Sequence, residues 1–219
     1  YEAILNRIDQ ANPKKSLIES DYRKYEAGFR GEMSSDYPLS FLDEKKYYIF
    51  HELRLSDGKH VFQIDTFLLS EKFCVIGEIK NYSGTLIFDL PMNQLIRTFN
   101  GNEEALPNPI TQVKRHVRQF QTWLKINKLP EIPIEPLAII SNDKAVIKVN
   151  APNYEFYQIV SKNMDLPAKI AKLEANYKNS ILSPRELKKL SRKLLVKQVP
   201  EEKNILQKYR LAEQEIIKG

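Results

Sequence analysis

Phe73-Cys74-Val75-Ile76-Gly77-Glu78-Ile79-Lys80 is the stretch on which the reading of the chain turns. An apolar run this short suits a strand buried on both faces better than a helix. Glu78 and Lys80 interrupt it. They lie two residues apart, so on a strand they share a face. Charges at such positions are costly unless they are paired or bind a metal. Asp65 sits on the preceding apolar stretch, joined through a short turn around Ser70-Glu71-Lys72, so all three can converge at one sheet edge. At this point a buried Glu78–Lys80 or Asp65–Lys80 ion pair, or charges at a strand end, explains the residues as well as a functional site does.

Working outward, the segments on both sides also read as strands. Tyr47 to Leu55 is rich in aromatic and β-branched residues, Ser56-Asp57-Gly58-Lys59 is a hairpin turn, and Val61 to Leu69 continues the hairpin. Asn81-Tyr82-Ser83-Gly84 turns the chain again before candidate strands Thr85–Leu90 and Leu95–Phe99. Asn108-Pro109 opens a helix, with an N-cap residue followed by proline at the first position. Its buried face is marked by Val113, Val117, Phe120 and Leu124, and Trp123 reads as core. Pro130, Pro133 and Pro136 exclude a helix and lead into strands at 137–141 and 146–149.

Residues 1–33 read as helical, with Ile4 and Ile8 on one face and Tyr22, Tyr25 and Phe29 at helical intervals. Beyond residue 161 the pattern turns helical again. Helices start near Asp165 and Pro167, at the capping box Ser183-Pro184-Arg185-Glu186, and at Pro200-Glu201-Glu202. The expected class is therefore α/β: a mixed central β-sheet flanked by helices, with a helical C-terminal extension. The division falls into a core of 1–161 and a C-terminal region of 162–219.

Composition narrows the function. Of 219 residues, 42% are hydrophobic and 28% charged, an ordinary globular balance that excludes collagenous and low-complexity chains. The single cysteine, Cys74, excludes an internal disulfide and a multi-cysteine zinc site, and a reducing, cytoplasmic setting is expected. No apolar run reaches the roughly 20 residues that cross a bilayer. The chain starts at Tyr1 rather than Met, which leaves an upstream targeting signal or anchor open. There is no Walker A loop, no Gly-x-Gly-x-x-Gly and no His-Glu-x-x-His. His51, His60 and His116 lack ligand spacing.

What remains is Asp65, Glu78 and Lys80. Two carboxylates can hold Mg²⁺ while leaving coordination places for a phosphate oxygen and water, and an adjacent lysine can orient that water or neutralise charge in the transition state. The bare pattern says little, because Glu-x-Lys occurs four times, starting at Glu44, Glu78, Glu186 and Glu201. Only the copy at Glu78 interrupts an apolar strand.

Four motifs in order decide between the readings. Gly28-Phe29-Arg30-Gly31-Glu32, Gln63-Ile64-Asp65, Gly77-Glu78-Ile79-Lys80-Asn81 with Gly84, and Asn108-Pro109-Ile110-Thr111-Gln112 resemble the nuclease-related domain (NERD) over about residues 20–150. That family is placed in the PD-(D/E)XK nuclease superfamily. The resemblance implies a restriction-endonuclease-like fold, Asp65 and Glu78 as ligands of Mg²⁺ or Mn²⁺, and Lys80 as the catalytic lysine. It implies Glu32 as an additional acidic position and Gln112 as a polar site residue. Related exonucleases carry a Tyr four residues after the Gln; here His116 stands instead and reads as a packing or surface histidine. Gly28, Gly31 and Gly84 read as close packing or turns. The implied activity is hydrolysis of DNA phosphodiester bonds, endonucleolytic in preference, with RNA not excluded. The alternative is a catalytically inert nucleic-acid-binding or scaffolding module with the same fold.

Charge adds a second feature. Residues 1–161 hold 20 Lys/Arg and 21 Asp/Glu, whereas 162–219 hold 14 and 7. On the helix after Ser183, Leu187, Leu190, Leu194 and Leu195 form an apolar stripe, and Arg185, Lys188, Lys189, Arg192 and Lys193 cover the opposite face. That face suits phosphate contacts or an anionic membrane, and equally an ordinary solvated helix surface.

Overall fold

The computed structural model describes residues 1–201, 205–212 and 215. Its elements in chain order are α1 (Glu2–Leu5), α2 (Lys15–Met33), α3 (Asp36–Leu39), β1 (Tyr48–Ser56), β2 (Val61–Leu69), β3 (Cys74–Lys80), β4 (Thr85–Asp89), β5 (Gln94–Phe99), β6 (Asn102–Leu106), α4 (Pro109–Ile126), β7 (Ile134–Ile140), β8 (Val146–Asn150), α5 (Tyr154–Ile159), β9 (Val160–Lys162), α6 (Leu166–Asn176), α7 (Pro184–Val196) and α8 (Ile205–Lys208). They form two compact units, Gly31–Val199 and Tyr1–Arg30 with Pro200–Gly219.

The larger unit is built on a five-stranded sheet in the order β1-β2-β3-β7-β9. Antiparallel pairing links β1, β2 and β3, while β3, β7 and β9 run parallel. A second sheet, β6-β5-β4-β8, is antiparallel except for its β4–β8 pair. The α/β class with mixed sheets and flanking helices is what the sequence predicts. The strands, however, are shared between two sheets.

The β3 run behaves as its composition requires. Every residue from Cys74 to Ile79 is buried, because both faces of the sheet are covered. One face contributes Cys74, Ile76, Ala138 and Ile140 to a core with Phe67, Phe120 and Trp123; the other packs Val75, Ile79, Leu137 and Ile139 against Leu166 and Ile170 of α6. Burying a large aliphatic side chain contributes about 1.5–3 kcal/mol, so these two layers set the position of everything attached to β3. The helix α4 starts as predicted, with the Asn108 side chain accepting from the Ile110 N–H at 3.0 Å and Pro109 in the first turn. Trp123 is core and stacks on Phe120 at 5.5 Å between ring centroids.

Several expectations are corrected. The Asn102–Leu106 strand is not legible in its mostly exposed Asn-Glu-Glu-Ala-Leu sequence; it forms by pairing with β5. The strand expected from Leu137 starts at Ile134 and includes Pro136. Proline is tolerated there because β9 pairs with β7 only from Ala138, leaving one side of the strand open. The helices expected after residue 161 are preceded by α5 and the short β9, and α6 and α7 lie in the compact unit Gly31–Val199. Gly28 meets nothing within 4 Å, so crowding does not explain it. Gly31 is crowded: a Cβ there would lie 2.5 Å from the Asn81 Cβ. Gly84, at φ +92°, would bring a Cβ to 2.4 Å from the Thr98 carbonyl oxygen. The start predicted at Pro200-Glu201-Glu202 extends over residues 202–204, outside the described residues.

In the smaller unit, Ile8, Ile18, Tyr209 and Leu211 make a small core. Asp21 there accepts from Lys208 at 2.8 Å and from the Tyr209 hydroxyl at 2.6 Å.

Candidate active site

The site arises where two strands part. β2 pairs with β3 only from Leu69↔Cys74 to Thr66↔Gly77; beyond that point β2 continues along β1, while β3 continues along β7 to Lys80. Asp65, Glu78 and Lys80 occupy the fork. Asp65 closes its inner end: its Oδ2 accepts the Ile79 N–H at 2.7 Å, taking the place of the ladder bond that β2 no longer supplies. Lys80 and Glu78 share a face, and the lysine Nζ lies 2.6 Å from Glu78 Oε1.

Helix α4 closes the outer side of the fork. A cleft of about 520 Å³ is lined by Gln63 and Asp65 from β2 and by Gln112, Arg115, His116 and Gln119 from α4. His116 is 5% exposed and packs on the Phe62 ring. Its Nδ1 stands 3.4 Å from Glu78 Oε2, and neither atom has a hydrogen-bond partner. The expectation of a packing histidine is therefore incomplete, because His116 joins the wall of the cleft to the buried acid.

Electrostatics separate these groups. Glu78 is 1% exposed; burial, with Asp65 adding to it, pushes its carboxyl up to about 7 despite the opposing Lys80 and Arg115. Asp65 is also raised, first by burial and then by Glu52, against the Ile79 N–H and Lys80. Burial pulls the Lys80 ammonium down, but contact with Glu78 outweighs it and holds the lysine above its usual value. His116 is lowered to about 4 by burial and the nearby Arg115 and Lys80 charges, so it is neutral at pH 7. The fork holds two disfavoured carboxylates and a carboxylate oxygen with no donor. Hard oxygen donors of this kind suit Mg²⁺ or Mn²⁺, which bind through one or two carboxylates and fill the remaining places with water and phosphate.

The remaining candidates are placed as follows. Asp65, Glu78 and Lys80 share the fork, and Gln112, in the first turn of α4, lines the cleft that Asp65 also lines. Glu32 follows the crowded Gly31, whose backbone lies against Asn81 and Ser141 just beyond β3 and β7. Among the described residues no three His, Cys, Asp or Glu side chains form a metal-holding group, so Glu32, Asp65 and Glu78 are not gathered into a three-carboxylate cage. On α7, Arg185, Lys188, Lys189 and Arg192 are exposed, whereas Lys193 is half-buried and donates to the Asn127 carbonyl at 2.9 Å. Leu195, assigned to the apolar stripe, is exposed.

Sequence reasoning missed Gln63, Arg115, Gln119 and Glu52. Helical spacing could have found two of them, since Arg115 and Gln119 follow Gln112 at i+3 and i+7 on one face. Gln63 precedes Asp65 by two on its strand. Glu52 carries no such signal. It falls between the pairs His51↔Thr66 and Leu53↔Ile64, opposite Asp65, and adopts φ +49°. A non-glycine residue in this region stores backbone strain, which tends to collect at functional sites.

An α/β domain with acids and a lysine in the fork of a mixed sheet, under a polar helix, has the arrangement expected of nuclease-like proteins. The sequence profile of the nuclease-related domain family matches residues 27–141, and the chain belongs to that family. Among curated proteins and among solved structures, none matches the chain. Among the described residues no helix is long and apolar enough to cross a membrane.

Proposed function

We propose that the protein is a divalent-metal-dependent nuclease that hydrolyses DNA phosphodiester bonds, as part of DNA processing or repair. The observation that carries this reading is the fork: Asp65, Glu78 and Lys80 on parting strands, with Glu78 Oε2 buried and unpartnered. Asp65 and Glu78 would hold Mg²⁺ or Mn²⁺. The bound ion would supply charge neutralisation at the phosphoryl group and a more acidic water.

The chain's own residues do the rest. Glu78, with a carboxyl near 7, carries a proton part of the time at neutral pH and gives it up when a cation arrives. Lys80 keeps a positive charge next to Glu78, where it can neutralise a phosphate oxygen or orient a water. Gln112 and Arg115 line the cleft and offer an amide and a guanidinium to phosphate oxygens. Neutral His116 packs beside Glu78 Oε2, 3.4 Å away, and walls it in on the α4 side.

Supercoiled plasmid and linear DNA incubated with Mg²⁺ or Mn²⁺ test this reading. Cleavage is expected, absent in chelator and lost in Glu78→Gln and Lys80→Ala variants that keep their circular dichroism. Cleavage at the wild-type rate by both variants would sink it. Salt-sensitive DNA binding with no turnover under any divalent metal would instead establish an inert binding module of the same fold.

A further inference from the structure

A second, larger cavity lies away from the fork, on the side of the larger unit where β9 is the last strand of its sheet and β8 the last strand of the other. It has a volume of about 710 Å³. Val149 and Leu173 give it apolar lining, the half-exposed Tyr157 ring borders it, and Lys162, Lys169 and Lys172 supply its cations. Among its described lining residues Asp165 is the single acid.

The lysines are arranged by the fold. Lys162 donates to the Asp143 and Ala145 carbonyls at 3.2 and 3.1 Å, and Lys169 to the Tyr157 and Val160 carbonyls at 3.1 and 2.7 Å. Each ammonium has three protons, so each retains one beyond these contacts. Burial, with Lys172 adding to it against Asp165, lowers Lys169 to about 8. Positive charge in this groove is under-compensated by the protein itself, and an incoming anion would relieve it.

Register relates one lysine of the groove, Lys162, to the candidate active site. Lys80 pairs with Ile140, and Ile140 with Lys162, in one parallel row. Partners in such a row share a face, so Lys162 stands two strand spacings, about 10 Å, from the backbone of Lys80.

We propose that this groove binds a single-stranded segment of nucleic acid, with phosphates on Lys162, Lys169 and Lys172 and a base against Tyr157. The inference rests on the nucleic-acid reading of the fork and extends it by a second contact site along the same strand. Basic side chains tracking a backbone, with an aromatic face for a base, are the general means of holding an unpaired strand. A duplex keeps its base faces stacked on one another and offers none to Tyr157.

The test is fluorescence anisotropy of a labelled oligothymidylate with the full chain in chelator, where no strand is cut. Wild type is expected to bind, more weakly as salt rises. Tyr157→Ala and Lys172→Glu alter exposed side chains, and each should weaken strand binding about tenfold. Lys172→Glu should also lower the salt slope by about 0.7 or more. Arg192→Glu on α7, an equal change of charge, should cost less than about threefold. If both groove variants bind like wild type while wild type still binds and cuts DNA, the groove inference alone is overturned. Equal losses in Arg192→Glu and Lys172→Glu overturn it in favour of diffuse electrostatics. Displacement by inorganic phosphate at matched phosphate concentration overturns it in favour of a simple anion site. A wild type that binds no oligonucleotide overturns this inference, while the proposed function stands or falls on cleavage of plasmid and linear DNA.

Discussion

Helices α4 and α7 start alike and end in different roles. Both have a capping side chain, Asn108 or Ser183, followed by proline, and both bury an amphipathic face in the larger unit. The buried face of α7 is Leu187, Leu190, Ser191 and Leu194, and most of its cations point to solvent. The buried face of α4 also carries His116, set against a buried acid, and its flank brings Gln112, Arg115 and Gln119 to a cleft. The count of charges is higher on α7, but the buried acids, with carboxyls held above their usual range, lie under α4. A polar residue informs about function when the fold pays for its burial, and much less when water solvates it.

The contrast can be broken most directly at the fork. Glu78→Gln should reduce metal-dependent cleavage by about a thousand-fold or more, roughly 4 kcal/mol of barrier, in single-turnover assays. Reversing Arg185, Lys188, Lys189 and Arg192 to Glu should leave the rate at saturating DNA within about twofold and weaken binding only in a salt-dependent way. The opposite ranking would assign the chemistry to the wrong helix.

Stability should not separate the helices. Phe120→Ala in α4 and Leu190→Ala in α7 each empty a fully buried position, and each should cost about 3–4 kcal/mol in urea unfolding. A loss below about 1 kcal/mol at Leu190 would mean that α7 is not held to the core as described.

The pH dependence of stability sharpens the comparison further, measured in chelator. His116 has a folded value near 4 against 6.5 in the reference state, so its contribution is lost as pH falls from 6.5 toward 4. Glu78 has a folded value near 7 against 4.5, so its contribution is lost as pH rises from 4.5 toward 7. Between pH 4.5 and 6.5 the two slopes oppose each other, and this pair should leave stability nearly flat. His116→Phe should uncover a gain of stability on acidification, and Glu78→Gln a loss, each of about 2–3 kcal/mol across the window. Identical pH profiles in the two variants would remove the electrostatic account of the pair. The smallest effect belongs to α7, where Lys188→Ala and Arg192→Ala should shift stability by no more than about 0.5 kcal/mol.

Much of the local structure was legible because it is set by near neighbours. The capping box at Ser183 forms in both directions, with the Ser183 N–H donating to Glu186 at 2.8 Å and the Glu186 N–H to the Ser183 hydroxyl at 3.3 Å. The turn at Ser56–Lys59 closes the β1–β2 hairpin, with Asp57 accepting from the Lys59 and His60 N–H groups. The strand-like placement of Glu78 and Lys80 followed from their spacing in an apolar run. Short elements were not legible. β6 and β9 lack a hydrophobic pattern of their own and exist because β5 and β7 offer them a ladder.

The sequence by itself determined which charges would be expensive, because charges that interrupt an apolar strand are costly unless they are paired or bind a metal. It also determined where the main helices begin, since caps and prolines act within one turn. Only the tertiary structure decided what surrounds those charges. The point at which β2 leaves β3, the packing of His116 on Glu78, the backbone strain at Glu52 and the row from Lys80 to Lys162 all join residues distant in sequence. Such contacts depend on strand register and helix docking, which are fixed by the whole core and by no single segment.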